Sequence, residues 1–254
     1  MHRDESVTSF RRGLAVINSF GAGHRQQSIT DVATRTGLTR AAARRFLLTL
    51  CAMGYARTNG KYFELTPAVL ELSQSFLSGL SEIEIVRDVL VELTRSIGES
   101  ASAAMLEGCD IVYVARSPAR HRIMTTGLTV GTRLPAHATS MGQALLSTLH
   151  PNRLDAYFKS ARLDRFTERT LTTRGKLKTR LEEVRTCGYA LVSEELEMGL
   201  RSIAIAIRQR PPAAGFAINI SAPAARVPED RMLADYLPHL KQAAGSIRLA
   251  LDNA

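Results

Sequence analysis

Arg40, Arg44 and Arg45 fall within six residues, and a helix through them places Arg40, Ala41, Arg44, Arg45, Leu48 and Ala52 on one side. A guanidinium fork bridges a phosphate or bonds O6 and N7 of guanine in bidentate fashion, and alanines beside it let a helix approach a groove closely. Ala43, Phe46, Leu47, Leu50 and Met53 occupy the other side and suit burial. Arg57 and Lys61 flank Asn59-Gly60, where a hairpin tip would bring Lys61 to the phosphate backbone. The candidate DNA contacts are therefore Ser28, Thr39, Arg40, Ala41, Arg44, Arg45, Arg57 and Lys61.

The rest of the chain offers little catalytic chemistry. It has no Gly-x-Gly-x-x-Gly, P-loop, His-Glu-x-x-His or Gly-x-Ser-x-Gly. His2, His24, His121, His137, His150 and His239 do not cluster at metal spacing, so no metal and no cofactor is implied. Glu194, Glu195 and Glu197 lie close together, but carboxylates in a strand or turn are usually solvated. His137, in an apolar stretch, reads as a structural group or a ligand contact. These features favour a binding module; a small-acid-converting enzyme with an appended DNA-binding module is the alternative.

The elements that must position the arginines are legible. Phe10, Leu14, Ile17 and Phe20 recur at helical spacing until Gly21-Ala22-Gly23. Ser28 precedes Asp31 at capping-box spacing and opens a short helix on Ile29, Val32 and Ala33, which Gly37 closes. Thr39 then caps a third helix running to about Met53. Short helix, three-residue turn and basic helix make a helix-turn-helix, and the strand-like runs around Asn59-Gly60 add a wing. Charge follows the same division. Residues 1–66 carry ten Lys and Arg against four Asp and Glu, an excess of six in a chain whose formal net charge is +9. That is the footprint expected of a phosphate-contacting piece.

The 254 residues, 45% hydrophobic and 22% charged, suit a small domain followed by a medium one. No apolar run reaches 18 residues, and the start, Met1-His2-Arg3-Asp4-Glu5, is not a secretory signal, so a cytoplasmic protein with no membrane partner is expected. Cys51, Cys109 and Cys187 are too sparse for a disulfide framework and read as buried small hydrophobes.

Residues 1–66 are assigned to the winged helix-turn-helix DNA-binding domain, 67–98 to a helical linker and dimerisation region, and 99–254 to an effector-binding domain. In the second region Thr66-Pro67 starts one helix and residues 83–98 form another. In the third, 101–106 and 111–116 read as a hairpin, 122–126 and 133–138 as further strands, and 139–149, 151–160 and 173–186 as helices. Strands at 189–194, 200–208 and 215–221, a Pro211-Pro212 loop and a closing amphipathic helix at 231–251 complete an α+β fold with a mainly antiparallel sheet.

The two halves together resemble the IclR family of transcription regulators. The resemblance lies in Ser28-Ile29-Thr30-Asp31-Val32-Ala33 through Gly37–Arg45, in Gly131-Thr132-Arg133-Leu134-Pro135-Ala136-His137-Ala138-Thr139-Ser140-Met141-Gly142, and in Gly188–Ala204, and it spans about residues 7–250. It implies a GAF-like α/β effector domain and homodimers that pair into tetramers on palindromic double-stranded DNA, with RNA polymerase a candidate contact. It also implies a small organic or aromatic acid as effector. Within the family, Val112–Ser117, Arg122-Ile123-Met124 and the 135–142 run are most similar to the PcaR/PcaU/PobR group, which controls β-ketoadipate pathway genes for protocatechuate and 4-hydroxybenzoate breakdown. Carried across by motif, the effector pocket takes Ile123, Thr126 and Leu134 as wall, Ser140 and Met141 at the start of a helix, and Val192, Ser202, Asn219 and Ser221 on the last strands, with His137, Arg116 and Arg133 as further candidates. Ser140-Met141, Val192 and Ser202 replace the Gly-Ala, acid and Cys of members that bind two- or three-carbon acids, which points to a larger ligand. Effector binding would favour one arrangement of the pair and so alter DNA binding or promoter activation.

Overall fold

A computed structural model describes residues 6–21, 23–77, 82–119, 128–207 and 215–252. The chain forms two compact units, Met1–Leu80 and Ser81–Ala254. The helical stretch 67–98 is divided between them.

The first unit holds helices α1 (Thr8–Asn18), α2 (Ile29–Thr36) and α3 (Arg40–Ala52), strands β1 (Ala56–Thr58) and β2 (Phe63–Leu65), a 3₁₀ turn at Pro67–Val69 and α4 (Leu70–Leu77). Ser28 Oγ accepts from the Asp31 amide while the Asp31 carboxylate accepts from the Ser28 amide, and Gly37 ends α2 in the left-handed conformation. Val16, Val32, Ala33, Ala43, Leu47, Leu50, Ala56 and Phe63 form the core.

The structure refines the sequence pattern at three places. Phe10 and Leu14 do not face inward: they are 68% and 42% exposed, while Val16 is fully buried. A Cβ at Gly13 would lie 3.7 Å from the Phe46 ring, so the packed face of α1 runs through 13, 16, 17 and 20, with its first position hidden in a residue that has no side chain. Met53, past the end of α3, is also exposed. The wing departs in detail as well. Only Gly60 has positive φ, whereas Asn59 works through its side chain, accepting from the amides of Lys61 and Tyr62.

The second unit is a six-stranded antiparallel sheet ordered β5-β4-β3-β8-β7-β6, from β3 (Ser100–Glu107), β4 (Asp110–Ser117), β5 (Arg133–Pro135), β6 (Ala190–Ser193), β7 (Leu200–Ile207) and β8 (Phe216–Pro223). Helices α5 (Glu82–Ile97) and α10 (Leu237–Asp252) share one core with the sheet; α9 (Glu229–Arg231) leads into α10 through a π-turn at Met232–Tyr236. Helices α6 (Ser140–Ser147), α7 (Pro151–Ser160) and α8 (Arg174–Cys187) share another. The expected strand at 133–138 is shorter: it stops at Pro135, and Ala136–Ala138 makes a 3₁₀ turn. The expected strand at 122–126 and the Pro211-Pro212 loop lie outside the described residues.

Strand alternation makes the two cores unlike. On β7 and β8, Ile203, Ile205, Ile207, Ile218 and Ile220 point to α5 and α10. Ser202, Ala204 and Ala206, with Ala217, Asn219 and Ser221, take the other side. Short side chains there leave unfilled space under α6. None of the cysteines is fully buried, contrary to expectation; Cys187, the last residue of α8, is exposed.

Candidate functional site

Thr39 Oγ1 accepts from the Ala42 amide at 3.2 Å and sets the start of α3. Burial of Ala43, Leu47 and Leu50 then fixes the rotation of the helix, which leaves Arg40, Ala41, Arg44, Arg45 and Ala52 exposed and Leu48 41% exposed. Among the described residues no ion pair ties down Arg40, Arg44 or Arg45, so three guanidinium groups and small side chains share an open face. Lys61 is exposed in the wing loop, its ammonium 5.1 Å from the Tyr62 ring centroid. Two other candidates are engaged elsewhere. The Ser28 hydroxyl is committed to its capping box. Arg57 pairs across the hairpin with Glu64, which also accepts from Gln26 at 2.9 Å; these bonds, Gln26 foremost, hold the Glu64 carboxyl below its ordinary range.

In the second unit a cavity of about 230 Å³ opens beneath α6. Strand β4 contributes Tyr113 and Arg116, and β5 contributes Leu134. Thr139, Ser140 and Met141 come from the start of α6, Val192 from β6, Ser202 from β7, and Asn219 and Ser221 from β8. The volume falls below the roughly 300–1,000 Å³ usual for drug-sized ligands and suits a small metabolite. Thr139 builds the helix end, its Oγ1 accepting from the Gly142 amide at 3.2 Å. Gly142 is required there, because a Cβ would lie 2.1 Å from the Ala136 carbonyl oxygen. Asn219 Nδ2 donates to Ser221 Oγ at 2.9 Å. Ser140 Oγ and Asn219 Oδ1 are buried and have no hydrogen-bond partner among the described residues. Leu134, Ser140, Met141, Val192, Ser202, Asn219, Ser221 and Arg116 are thus brought together, all of them singled out from sequence.

Two candidates are not part of this wall. His137 is buried in the 3₁₀ turn, which aims its ring away from the cavity: Nε2 lies 3.0 Å from the Asp164 carbonyl oxygen and the ring 5.8 Å from Phe166. Arg133 sits at the sheet edge, donating to Asp110 at 3.3 Å and to the Glu107 carbonyl at 3.0 Å. Ile123 and Thr126, with Arg122, lie outside the described residues.

Glu195 and Tyr113 are among the wall residues that sequence reasoning missed. Glu195, expected in solvent, is 4% exposed. Its Oε2 accepts from Gln143 Nε2 at 2.8 Å and its Oε1 from Arg180 at 3.3 Å. Burial raises this carboxyl to about 7 against the opposing pull of Arg180 and Gln143. Burial likewise pushes the Tyr113 hydroxyl up to about 12, with nearby Arg116 opposing. No local pattern separates Glu195 from Glu194 and Glu197, since its partners are 52 and 15 residues away. Among the described residues no group of His, Cys, Asp and Glu could hold a metal, and no helix is long and apolar enough to cross a membrane.

Residues 9–60 match the IclR helix-turn-helix domain, and residues 74–249 match the bacterial transcriptional regulator IclR C-terminal domain. The chain belongs to the IclR family. Among its relatives is the Pca regulon regulatory protein of Pseudomonas putida, 38% identical over 238 residues that cover 94% of this chain and 82% of the relative. Among solved structures, a transcriptional regulator from Rhodococcus sp. RHA1 superposes with a TM-score of 0.85 at 47% identity, covering 98% of this chain and 99% of that one. An IclR homolog from Microbacterium hydrocarbonoxydans, complexed with 4-hydroxybenzoate, shares the fold at a TM-score of 0.82 and 22% identity, covering 97% and 100%. This IclR-family chain is a DNA-binding transcription regulator with an N-terminal helix-turn-helix and an antiparallel α+β C-terminal domain. Its relatives are named as regulators, not as enzymes.

Proposed function

We propose that this IclR-type regulator controls genes for the catabolism of aromatic or related organic acids, and that one such acid is its effector. The observation that carries the reading is the cavity: Arg116 and the hydroxyl and amide groups of Ser140, Ser202, Asn219 and Ser221 line one small space in a chain that also bears a basic reading helix. A carboxylate is neutralised by the guanidinium and oriented by the hydroxyls. The name of the Pseudomonas relative and the 4-hydroxybenzoate held by the Microbacterium homolog support this chemistry. Thr39, Arg40, Ala41, Arg44, Arg45 and Lys61 make the principal DNA contacts, with Arg57 and Ser28 shaping the wing and the start of α2. Thermal unfolding with protocatechuate, 4-hydroxybenzoate and β-ketoadipate tests the effector. An acid at 100 times its Kd adds about 2.7 kcal/mol of stability. No stabilisation by any of these acids refutes the reading.

The regulator acts as a homodimer on a palindromic operator, since one winged helix reads few bases and two-fold pairing doubles the site. Val7, Phe10 and Leu14 support this: they are 65%, 68% and 42% exposed and form one apolar stripe along α1. Phe10→Glu is expected to shift the protein toward monomer in sedimentation velocity. An unchanged distribution rejects this stripe as the contact.

A further inference from the structure

The cavity has two chemically different ends. Arg116 stands on β4 and Glu195 follows β6, so they come from opposite ends of the strand order β4-β3-β8-β7-β6. Asn219, Ser221 and Ser202 lie on the strands between. The lining is therefore cationic at one end and acidic at the other, where Glu197 joins Glu195. A bound acid turns its carboxylate to Arg116, the guanidinium in the lining, because opposite charges attract. The far end of the ligand then meets Glu195.

Glu195 has capacity to receive it. A carboxylate offers about four lone-pair positions. Gln143 and Arg180 occupy one on each oxygen. A second observation points the same way: Asn219, 4% exposed and part of the same wall, has a buried Oδ1 with no donor among the described residues. A wall with unfilled acceptors selects a ligand that brings a donor, since a methyl or a second carboxylate leaves them desolvated and unpaired.

We propose that Glu195 is a specificity-determining residue of the cavity, accepting a hydrogen bond from a hydroxyl or amine on the end of the bound acid opposite its carboxylate. The inference rests on the reading that the cavity takes a small acid, and its test separates the two.

Calorimetric titration of the full chain at pH 8, where the Glu195 carboxyl is ionised, uses four probes of one shape: 4-hydroxybenzoate, 4-aminobenzoate, 4-methylbenzoate and terephthalate. The first two are expected to bind at least about tenfold tighter than the last two. In Glu195→Gln the 4-hydroxybenzoate to 4-methylbenzoate preference is expected to fall by at least about threefold, because a charge-assisted bond becomes a neutral one. A purely structural Glu195, tying α6 to α8, would weaken all four probes alike and keep the ratio. Equal binding of all four by the wild-type chain overturns the inference while leaving the acid cavity standing. That measurement needs no variant, so it decides even if Glu195→Gln does not fold. An unchanged ratio in the variant also overturns it, and binding of no probe removes the acid cavity and this inference with it.

Discussion

Replacing Glu195 with Gln should change how stability depends on pH. The Glu195 carboxyl is raised from 4.5 to about 7 in the folded chain, chiefly because burial disfavours its charge. Between those two values the folded state holds a proton that the unfolded state has released. Stability therefore falls as pH rises across that window and levels off above about 7. At about 1.4 kcal/mol per pH unit, the gap corresponds to roughly 3 kcal/mol. The residue is 4% exposed, so solvent screening removes little of this. Glu195→Gln does not titrate and escapes the decline. The variant carries a pH-independent cost, because Arg180 loses one partner and keeps Glu183 at 3.2 Å, so the slope is diagnostic and the offset is not. Urea unfolding of both proteins at pH 5, 6, 7 and 8 makes the comparison. Four of the six tyrosines, Tyr113, Tyr157, Tyr189 and Tyr236, lie in the second unit, and with no tryptophan present their fluorescence follows it. The variant should gain on the wild type by about 2–3 kcal/mol from the lowest pH to the highest. Stability curves that stay parallel would falsify the assignment of a buried, charge-averse carboxyl.

Arg44→Ala is expected to weaken specific DNA binding by roughly 1–3 kcal/mol if the side chain reads a base, measured by fluorescence anisotropy on operator fragments. Affinity unchanged in Arg40, Arg44 and Arg45 variants alike would reject α3 as the reading element. Gly142→Ala drives a methyl into the Ala136 carbonyl and should lower the melting temperature of the second unit by more than about 5 °C, at a cost of 1–3 kcal/mol or more. A wild-type melting curve would show that the start of α6 relaxes freely.

The reading helix was legible because its determinants are local. Ser28 with Asp31, Gly37 and Thr39 sit within twelve residues and fix two helices by capping alone. The cavity wall on β7 and β8 was legible through motif and strand period. What escaped was set by contacts distant in the chain. Glu195 is buried by Gln143 and Arg180, and nothing beside it announces that. Phe10 and Leu14 match a helical period, but Gly13 and Val16 take the packed side, a choice made by Phe46 of another helix. His137 stands in an apolar run that predicts burial correctly without saying which way the ring turns.

The division of labour across β7 and β8 has an evolutionary consequence. The isoleucines on one side carry stability, while Ser202, Asn219 and Ser221 on the other leave room for a guest. Since that room comes from short side chains on a regular backbone, single codon changes at positions such as Ser202 or Ser221 can redraw its outline and leave the isoleucine layer untouched. Such a scaffold can drift from one inducer to another in small steps, with its foldedness never at stake.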